Sequence, residues 1–231
     1  MQKTKLQILS TRPLNKQLIA RAAVLNISIE EISFIEAAIV QNESIKNRIV
    51  NYIQQNITAI FTSMNAVNAV AKYVKQKPNW NIYCIGNATK KLVENHFGAN
   101  SIVGTAANAE KLAEVIISES LEQVVFFCGN QRRDELPVKL KANNVFVVEL
   151  VVYNTIETPV LVSKKYDGIL FFSPSAAKSF FSINNVDHKT QLFAIGKTTA
   201  SAIQQFSSNN VIISNSPGKE DLVMQMIEYY L

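Results

Sequence analysis

Residues 169–176 read Ile-Leu-Phe-Phe-Ser-Pro-Ser-Ala, and residues 59–66, 110 positions earlier, read Ala-Ile-Phe-Thr-Ser-Met-Asn-Ala. Each stretch is a short apolar run that ends in hydroxyl or amide residues and leads into a segment of helical period, the pattern of a buried strand followed by a helix. The same register aligns 84–89 with 194–199 and 110–112 with 220–222. Matches at strand ends and helix starts indicate that the chain contains a duplicated α/β unit.

Strand-type runs alternate with amphipathic segments along the whole chain, which is typical of βα units and parallel sheets. Strands are predicted at 6–10, 28–34, 57–62, 82–85, 101–103, 123–128, 145–153, 168–173, 192–195 and 211–213. Helices are predicted at 14–25, 44–54, 65–75, 87–96, 110–118, 134–141, 175–182, 198–206 and 219–229. The sequence therefore predicts an α/β protein of two similar lobes, each with a parallel sheet flanked by helices.

The segment before each copy has the same plan of strand, helix and strand, so the duplication also predicts how the lobes are divided. We expect a discontinuous lobe 1 of residues 1–35 plus 159–231 and a lobe 2 of residues 36–153. Two linking strands are expected near 35–39 and 153–159, with a ligand cleft between the lobes.

The composition excludes several classes of protein. The 231 residues are 48% hydrophobic and 18% charged, unlike disordered, collagen-like or coiled-coil chains. The 23 lysines and arginines give a net charge of +5 but are spread along the chain, which argues against a nucleic-acid-binding tail. The first apolar run is too short for a signal peptide, and no run approaches the roughly 20 residues of a membrane span. We therefore expect a cytoplasmic protein that binds neither nucleic acid nor membrane.

The cysteines and histidines offer little chemistry. Cys84 and Cys128 end apolar runs and are expected to be small buried residues, while His96 and His188 lie in polar segments and are expected at the surface. Neither a metal site nor a histidine-based triad is predicted. No glycine-rich phosphate loop or nucleophile elbow is found either.

Polar residues follow two strands that the repeat relates. Thr62, Ser63 and Asn65 follow one strand, and Ser173, Ser175 and Ala176 follow the other; all six are candidate ligand-binding residues. Ligands of open parallel sheets bind beyond the carboxyl ends of the strands, where helix N-termini can bind carboxylates or phosphates. Asn65 and Ser175 are the predicted N-caps. Capping alone would also explain either loop, and the pairing of the two loops is what favours ligand binding.

A second pair of loops, also related by the repeat, contains Gly86-Asn87 and Gly196-Lys197-Thr198-Thr199. Glycine after a strand lets a ligand or a neighbouring helix approach the backbone closely.

Three further side chains are candidates for the same edge. Arg12 follows the first strand, with Pro13 at the expected first position of a helix, and Arg133 follows the strand that ends at Cys128-Gly129. Each arginine is either a carboxylate clamp or a solvated charge. Tyr153 closes a long apolar strand, where it either packs or donates a proton through its hydroxyl.

An ordered set of short motifs covers nearly the whole chain. It consists of Thr11-Arg12-Pro13, Phe61-Thr62-Ser63 with Ala66-Val67, Ile85-Gly86 with Thr89, Gly129 with Arg133, Tyr153-Asn154-Thr155, Phe172-Ser173-Pro174-Ser175-Ala176 and Ala194-Ile195-Gly196-Lys197-Thr198-Thr199-Ala200. No single motif is specific, but the ordered set resembles the uroporphyrinogen-III synthase family.

The resemblance implies two α/β lobes and a cyclising lyase of tetrapyrrole and haem biosynthesis. The linear tetrapyrrole hydroxymethylbilane would lose water and close to uroporphyrinogen III, with the last pyrrole ring inverted through a spiro intermediate. It implies no metal or organic cofactor, a monomer, and transient contact with the upstream deaminase.

By motif match the resemblance carries substrate contacts onto this chain, and Tyr153 becomes the candidate proton donor to the leaving hydroxyl. The contacts are Thr62, Ser63, Ser173, Ser175, Lys197, Thr198 and Thr199, several of them through backbone N–H groups. The chain departs from the family where Cys128 replaces a common arginine, a contact that Arg132 could supply, and where Lys197 replaces a common proline.

Two readings from other classes remain open on the sequence alone. A non-catalytic two-lobed module for an acidic small molecule would bind without turnover. A regulatory or interaction protein that keeps only the fold would tolerate loss of the polar loop residues.

Overall fold

The computed structural model describes residues 5–216 and 218–231. In chain order the elements are β1 (Leu6–Ser10), α1 (Lys16–Val24), β2 (Ile27–Glu31), β3 (Ile35–Ile39), α2 (Glu43–Ile53), β4 (Thr58–Phe61), α3 (Met64–Ala71), β5 (Asn81–Ile85), α4 (Asn87–Phe97), a 3₁₀ turn (Ala99–Ser101), β6 (Ile102–Ala106), α5 (Ala109–Ser118), β7 (Gln123–Gly129), α6 (Glu135–Ala142), β8 (Phe146–Glu157), β9 (Gly168–Phe171), α7 (Pro174–Phe181), β10 (Gln191–Ala194), α8 (Lys197–Gln204), β11 (Val211–Ile213) and α9 (Lys219–Tyr230). Across these described ranges, no helix has the length and apolar character needed to cross a membrane.

The chain divides into two compact units. Unit 1 comprises Met1–Glu36 and Ile156–Leu231, and unit 2 comprises Ala37–Thr155. The sheet of unit 1 has the strand order β11-β10-β9-β1-β2, and the other sheet has the order β3-β8-β7-β4-β5-β6. Neighbouring strands pair in parallel from β11 to β2 and from β8 to β6. The α/β class with parallel sheets and flanking helices is thereby confirmed.

Each sheet is covered on both faces, because alternate residues of its central strands enter separate cores. In β4, Phe61 packs with α3 and α4 on one face, while Ile60 packs with α5 and α6 on the other. In β9, Phe171 packs with α7 and α8 on one face, while Leu170 packs with α1 and α9 on the other. Strands buried on both faces read as continuous apolar runs, which is why the sequence marks them so clearly.

The duplication is visible in the element boundaries. β4 and α3 begin at Thr58 and Met64, and β9 and α7 begin 110 residues later, at Gly168 and Pro174. The starts of α4 and α8, and of α5 and α9, are also 110 residues apart. In unit 1, β1-α1-β2 from the amino-terminal segment takes the place that β7-α6-β8 takes in unit 2.

Three local predictions about helix starts are wrong. Asn15 caps α1, so Pro13 lies before the helix and not at its first position. Ser63 and Ser173 cap α3 and α7 through their side chains, whereas Asn65 and Ser175 lie inside the first turns. A serine that directly follows the strand reaches the N–H three residues ahead, and the polar residue two positions later is already helical.

The predictions for cysteine and histidine hold in the described residues. Cys84 and Cys128 are free thiols with 0% and 2% exposure, and burial raises the pKa of each to about 11. His96 and His188 are exposed.

Candidate active site

A cavity of about 370 Å³ lies at the carboxyl edge of the sheet in unit 2. Its lining brings together residues from three neighbouring strands and the loops after them: Thr62 and Ser63 after β4, Arg133 after β7, and Tyr153 within β8. In this sheet β4 and β7 are adjacent, and the chain moves outward from them on both sides. Such a switch in strand order is where open α/β sheets bind ligands.

Ser63 connects the helix to the tyrosine. Its Oγ accepts the backbone N–H of Ala66 at 3.1 Å, which caps α3, and donates to Tyr153 Oη at 3.1 Å. Because the phenolic oxygen accepts this hydrogen bond, the hydroxyl proton of Tyr153 remains available to another acceptor. The tyrosine is half-buried and lines the cavity together with Ser63. This arrangement suits a proton donor to a bound ligand.

The two arginines after β7 have different environments. Arg132 is bound to the carboxylates of Glu149 and Asp134, and Lys141 Nζ also lies 2.7 Å from Glu149. Burial acts to raise the pKa of Glu149, but hydrogen bonds from Lys141 and Arg132 outweigh it and the pKa is lowered. Arg132 is therefore held by the protein's own carboxylates. Whether the contact of the arginine that Cys128 replaces is missing or supplied by Arg132 stays a prediction.

Arg133 is exposed at the cavity rim. Among the ion pairs of residues 5–216 and 218–231, none involves Arg133. Asn108 also lines the cavity, where its side chain caps α5 by accepting the N–H of Lys111 at 2.9 Å. Sequence reasoning missed Asn108, although it precedes a predicted helix start.

The helices α4 and α8 begin differently from α3 and α7. Their N-caps are Gly86 and Gly196, which make no side-chain cap, so N–H groups of the first turns are left for other acceptors. A Cβ at either glycine would meet no atom within 4 Å. Only Gly86, with a φ of 67°, needs glycine for its conformation. Asn87, Lys197 and Thr198 are exposed beside these open positions.

Unit 1 has its own polar group at the equivalent edge, centred on Arg12. The Arg12 guanidinium lies 5.8 Å from the centre of the Phe172 ring, and its buried Nε finds no hydrogen-bond partner in the described residues. Burial lowers the pKa of Arg12. Burial also lowers the pKa of Lys219, and the positive charge of Arg12 lowers it further. Two partly buried cations close together favour an anion.

Lys219 was missed by sequence reasoning, but the repeat contained the signal. Position 219 corresponds to Ala109, which lines the cavity of unit 2. Both residues begin helices, α9 and α5, that start at the carboxyl edges of their sheets.

Two of the predicted contacts, Ala176 and Thr199, are buried and use their backbone N–H groups inside the protein. Ala176 is 2% exposed and donates its N–H to Ser173 Oγ at 3.1 Å. Thr199 is 1% exposed and donates its N–H to the Gly196 carbonyl at 3.1 Å. Ser173 and Ser175 remain half-buried beside them.

Another cavity, of about 330 Å³, lies in unit 1, and it is not suited to bind an anionic ligand. It lies at the amino edge of the sheet, between the loops that lead into β9 and β10. Its lysines, Lys164 and Lys165, lie 3.0 and 3.7 Å from Glu30 and Asp187. Its charges are therefore compensated within the protein.

No group of three or more His, Cys, Asp or Glu side chains in the described ranges is placed to hold a metal ion.

Comparisons with known proteins identify the family and similar folds. Residues 16–224 match the family model described as uroporphyrinogen-III synthase HemD. The fold is similar to that of uroporphyrinogen-III synthetase from Helicobacter pylori 26695, with a TM-score of 0.69, 19% identity, and coverage of 97% of this chain and 99% of that one. A mutant uroporphyrinogen III synthase from the extremely thermophilic bacterium Thermus thermophilus gives a TM-score of 0.61 at 12% identity, with 97% and 98% coverage.

A curated relative, the uncharacterized protein RP474 of Rickettsia prowazekii (strain Madrid E), is 23% identical over 137 residues, or 59% of this chain. The match covers 46% of that relative, so the chain spans about half the length of the curated relative it matches. The family match extends over most of the chain and includes β4, β7 and β8, the three strands described above at the cavity of unit 2. The chain belongs to the uroporphyrinogen-III synthase family.

Proposed function

We propose that this protein is a uroporphyrinogen-III synthase, which closes hydroxymethylbilane to uroporphyrinogen III with loss of water and inversion of the last pyrrole ring. The family match supports the reaction. We assign the reaction to the cavity of unit 2 because Ser63, Arg133 and Tyr153 line it together.

In this proposal Tyr153 protonates the leaving hydroxyl. The C–O bond of the terminal hydroxymethyl group breaks as its oxygen takes the phenolic proton and leaves as water. The pyrrole nitrogen supplies the electron pair that replaces the lost bond. The hydrogen bond from Ser63 to Tyr153 Oη, at 3.1 Å, stabilises the phenolate that forms and keeps the proton directed away from Ser63.

The remaining task is to hold a flexible polyanion, since hydroxymethylbilane also closes spontaneously without inversion. Positioning can contribute several kcal/mol to such a step. We assign carboxylate binding to donors that are at least partly exposed at the carboxyl edge of each sheet. In unit 2 these are Thr62, Arg133 and the N-terminus of α4 at Gly86-Asn87, and in unit 1 they are Arg12, Ser173, Ser175 and the N-terminus of α8 at Lys197-Thr198.

We further propose that the enzyme works as a cytoplasmic monomer and meets the deaminase that supplies its substrate only transiently. The support is chemical: a substrate that closes by itself to the wrong isomer favours rapid capture. Sedimentation of the protein alone and mixed with the deaminase tests this, and a stable complex or dimer would contradict it.

The function is tested by generating hydroxymethylbilane in situ, adding the protein, oxidising the products and separating type III from type I uroporphyrin by chromatography. We expect type III product above the protein-free control. Type I alone, from protein shown to be folded by circular dichroism, would contradict the proposal and favour a binding module without turnover.

The role of Tyr153 is tested by Tyr153→Phe, which removes the proton and keeps the ring. We expect the rate of type III formation to fall strongly while the thermal unfolding midpoint stays near that of the wild type, because one hydroxyl at the edge of a cavity contributes little to stability. Wild-type turnover in this variant would remove Tyr153 from the mechanism.

A further inference from the structure

We infer that Gly129 and Asn130, at the carboxyl end of β7, are positioning residues that hold the hydroxyl of Tyr153 in place. This inference rests on the proposed role of Tyr153 as proton donor. It adds two residues that touch the tyrosine and have no acid–base role of their own.

The pairing of β7 with β8 changes where these residues meet. The register is regular from Gln123 opposite Phe146 to Cys128 opposite Val151, and then shifts so that Gly129 lies opposite Tyr153. A β-bulge of this kind re-aims one side chain of the longer strand. Here the bulge places the ring of Tyr153 over Gly129.

The ring occupies the space that a side chain at 129 would need. A Cβ built on Gly129 would lie 2.5 Å from Cζ, 2.7 Å from Cε2 and 2.8 Å from the hydroxyl oxygen of Tyr153, its three nearest atoms. Ordinary carbon contacts begin at about 3.5 Å, so the phenol would have to move by about 1 Å. The backbone of Gly129 has no positive φ, so alanine fits there except for this contact. A side chain at position 129 would therefore mainly displace the phenol end of Tyr153.

Asn130 holds the backbone directly after the Tyr153 side chain. Its N–H donates to the Tyr153 carbonyl at 3.2 Å, and its side-chain Oδ1 accepts the N–H of Thr155 at 2.8 Å. Together with the hydrogen bond from Ser63, these contacts restrain the tyrosine at its main chain, its ring face and its hydroxyl. A displacement of about 1 Å at a reacting group can slow a reaction about 100-fold.

The first test is Gly129→Ala, assayed as the rate of type III uroporphyrin formation. We expect kcat to fall about 10- to 100-fold with KM little changed, because the phenol is displaced while the carboxylate contacts stay. The matched control is Gly104→Ala in β6. A Cβ there would lie 2.5 Å from two ring atoms of Tyr83, a similar clash in the same unit that involves none of the cavity residues. We expect Gly104→Ala to affect stability and to leave kcat unchanged.

The second test asks whether Gly129 acts through Tyr153. In a Tyr153→Phe background, Gly129→Ala should cause no further loss of kcat, whereas two independent residues would give additive losses. An additive loss, or wild-type kcat in Gly129→Ala alone, overturns the inference. Wild-type kcat in Tyr153→Phe would instead overturn the proposed proton donor, so the two failures are distinguished by different variants.

A third test does not depend on the folding of Gly129→Ala. Asn130→Ala removes the acceptor for the Thr155 N–H, and Asn130→Asp keeps an oxygen there. We expect Asn130→Ala to lower kcat and Asn130→Asp to restore most of it. The ¹³Cζ resonance of Tyr153, assigned by its loss in Tyr153→Phe, should shift in the alanine variant only. Equal kcat and equal resonances in both variants would contradict a positioning role.

Discussion

Ser63→Ala separates two roles of one hydroxyl, because Ser63 Oγ both caps α3 and donates to Tyr153. Loss of an N-cap costs about 1 kcal/mol of stability. The hydrogen bond to Tyr153, at 3.1 Å between two half-buried hydroxyls, is worth about 1 kcal/mol. If that second contribution supports the transition state, kcat should fall about fivefold. Urea unfolding measures the first effect, and type III product formed per second at saturating substrate measures the second.

Asn42→Ala is the control for the cap alone. Asn42 caps α2 in the same unit by accepting N–H groups of Ser44 and Ile45 at 2.8 and 3.3 Å, and it does not line the cavity. It should lose about 1 kcal/mol of stability with kcat unchanged. Ser63→Thr keeps the hydroxyl and should retain both properties. The reasoning is refuted if Ser63→Ala keeps the wild-type kcat, or if Asn42→Ala slows turnover as much.

Two other substitutions test charges described above. Glu149→Gln should lower the stability of the protein by about 1 kcal/mol at pH 7, because Arg132 and Lys141 lose their shared carboxylate. The lowered pKa of Glu149 means that its contribution is present at neutral pH and is lost as the pH falls through the folded-state pKa. The difference between variant and wild type in urea unfolding should therefore shrink below about pH 4, and a constant difference would contradict this. Arg12→Gln should raise KM about tenfold, the loss of one charge-assisted hydrogen bond, without lowering stability, since it removes a partly buried cation that lacks a partner at Nε. Unchanged KM would remove Arg12 from the binding set.

Much of the fold could be predicted because both sheets consist of strands buried on two faces. Predicted strand 6–10 matches β1, and predicted helix 87–96 differs from α4 by one residue. The β8 strand is longer than predicted, and β3 coincides with the linking strand expected near 35–39, although 28–34 was predicted as a single strand and β2 ends at Glu31. Ile35–Ile39 is only partly buried, so its sequence lacks the apolar run that marks a central strand.

Part of the candidate site could be predicted from two signals: polar loops that the repeat places after corresponding strands, and single arginine or tyrosine residues at strand ends. Thr62, Ser63, Arg133 and Tyr153 do line one cavity. The partners that decide their roles depend on three-dimensional contacts with no local pattern. The pairing of Arg132 with Glu149, 17 positions away, is one such contact. The bulge that brings Gly129 under Tyr153 is another.

The two-segment construction of unit 1 has a consequence for synthesis of the chain. Ile8 of β1 pairs with Gly168 of β9, 160 residues later, while the strands of unit 2 all lie within one continuous segment. At about 5–20 residues per second, the ribosome needs roughly 10–30 s between these partners. During that interval unit 2 can complete its sheet, whereas β1 waits with the N–H and C=O groups of one edge unpaired. Before β9 is made, the β1 segment is therefore exposed to aggregation and to chaperone binding, although it is synthesised before unit 2.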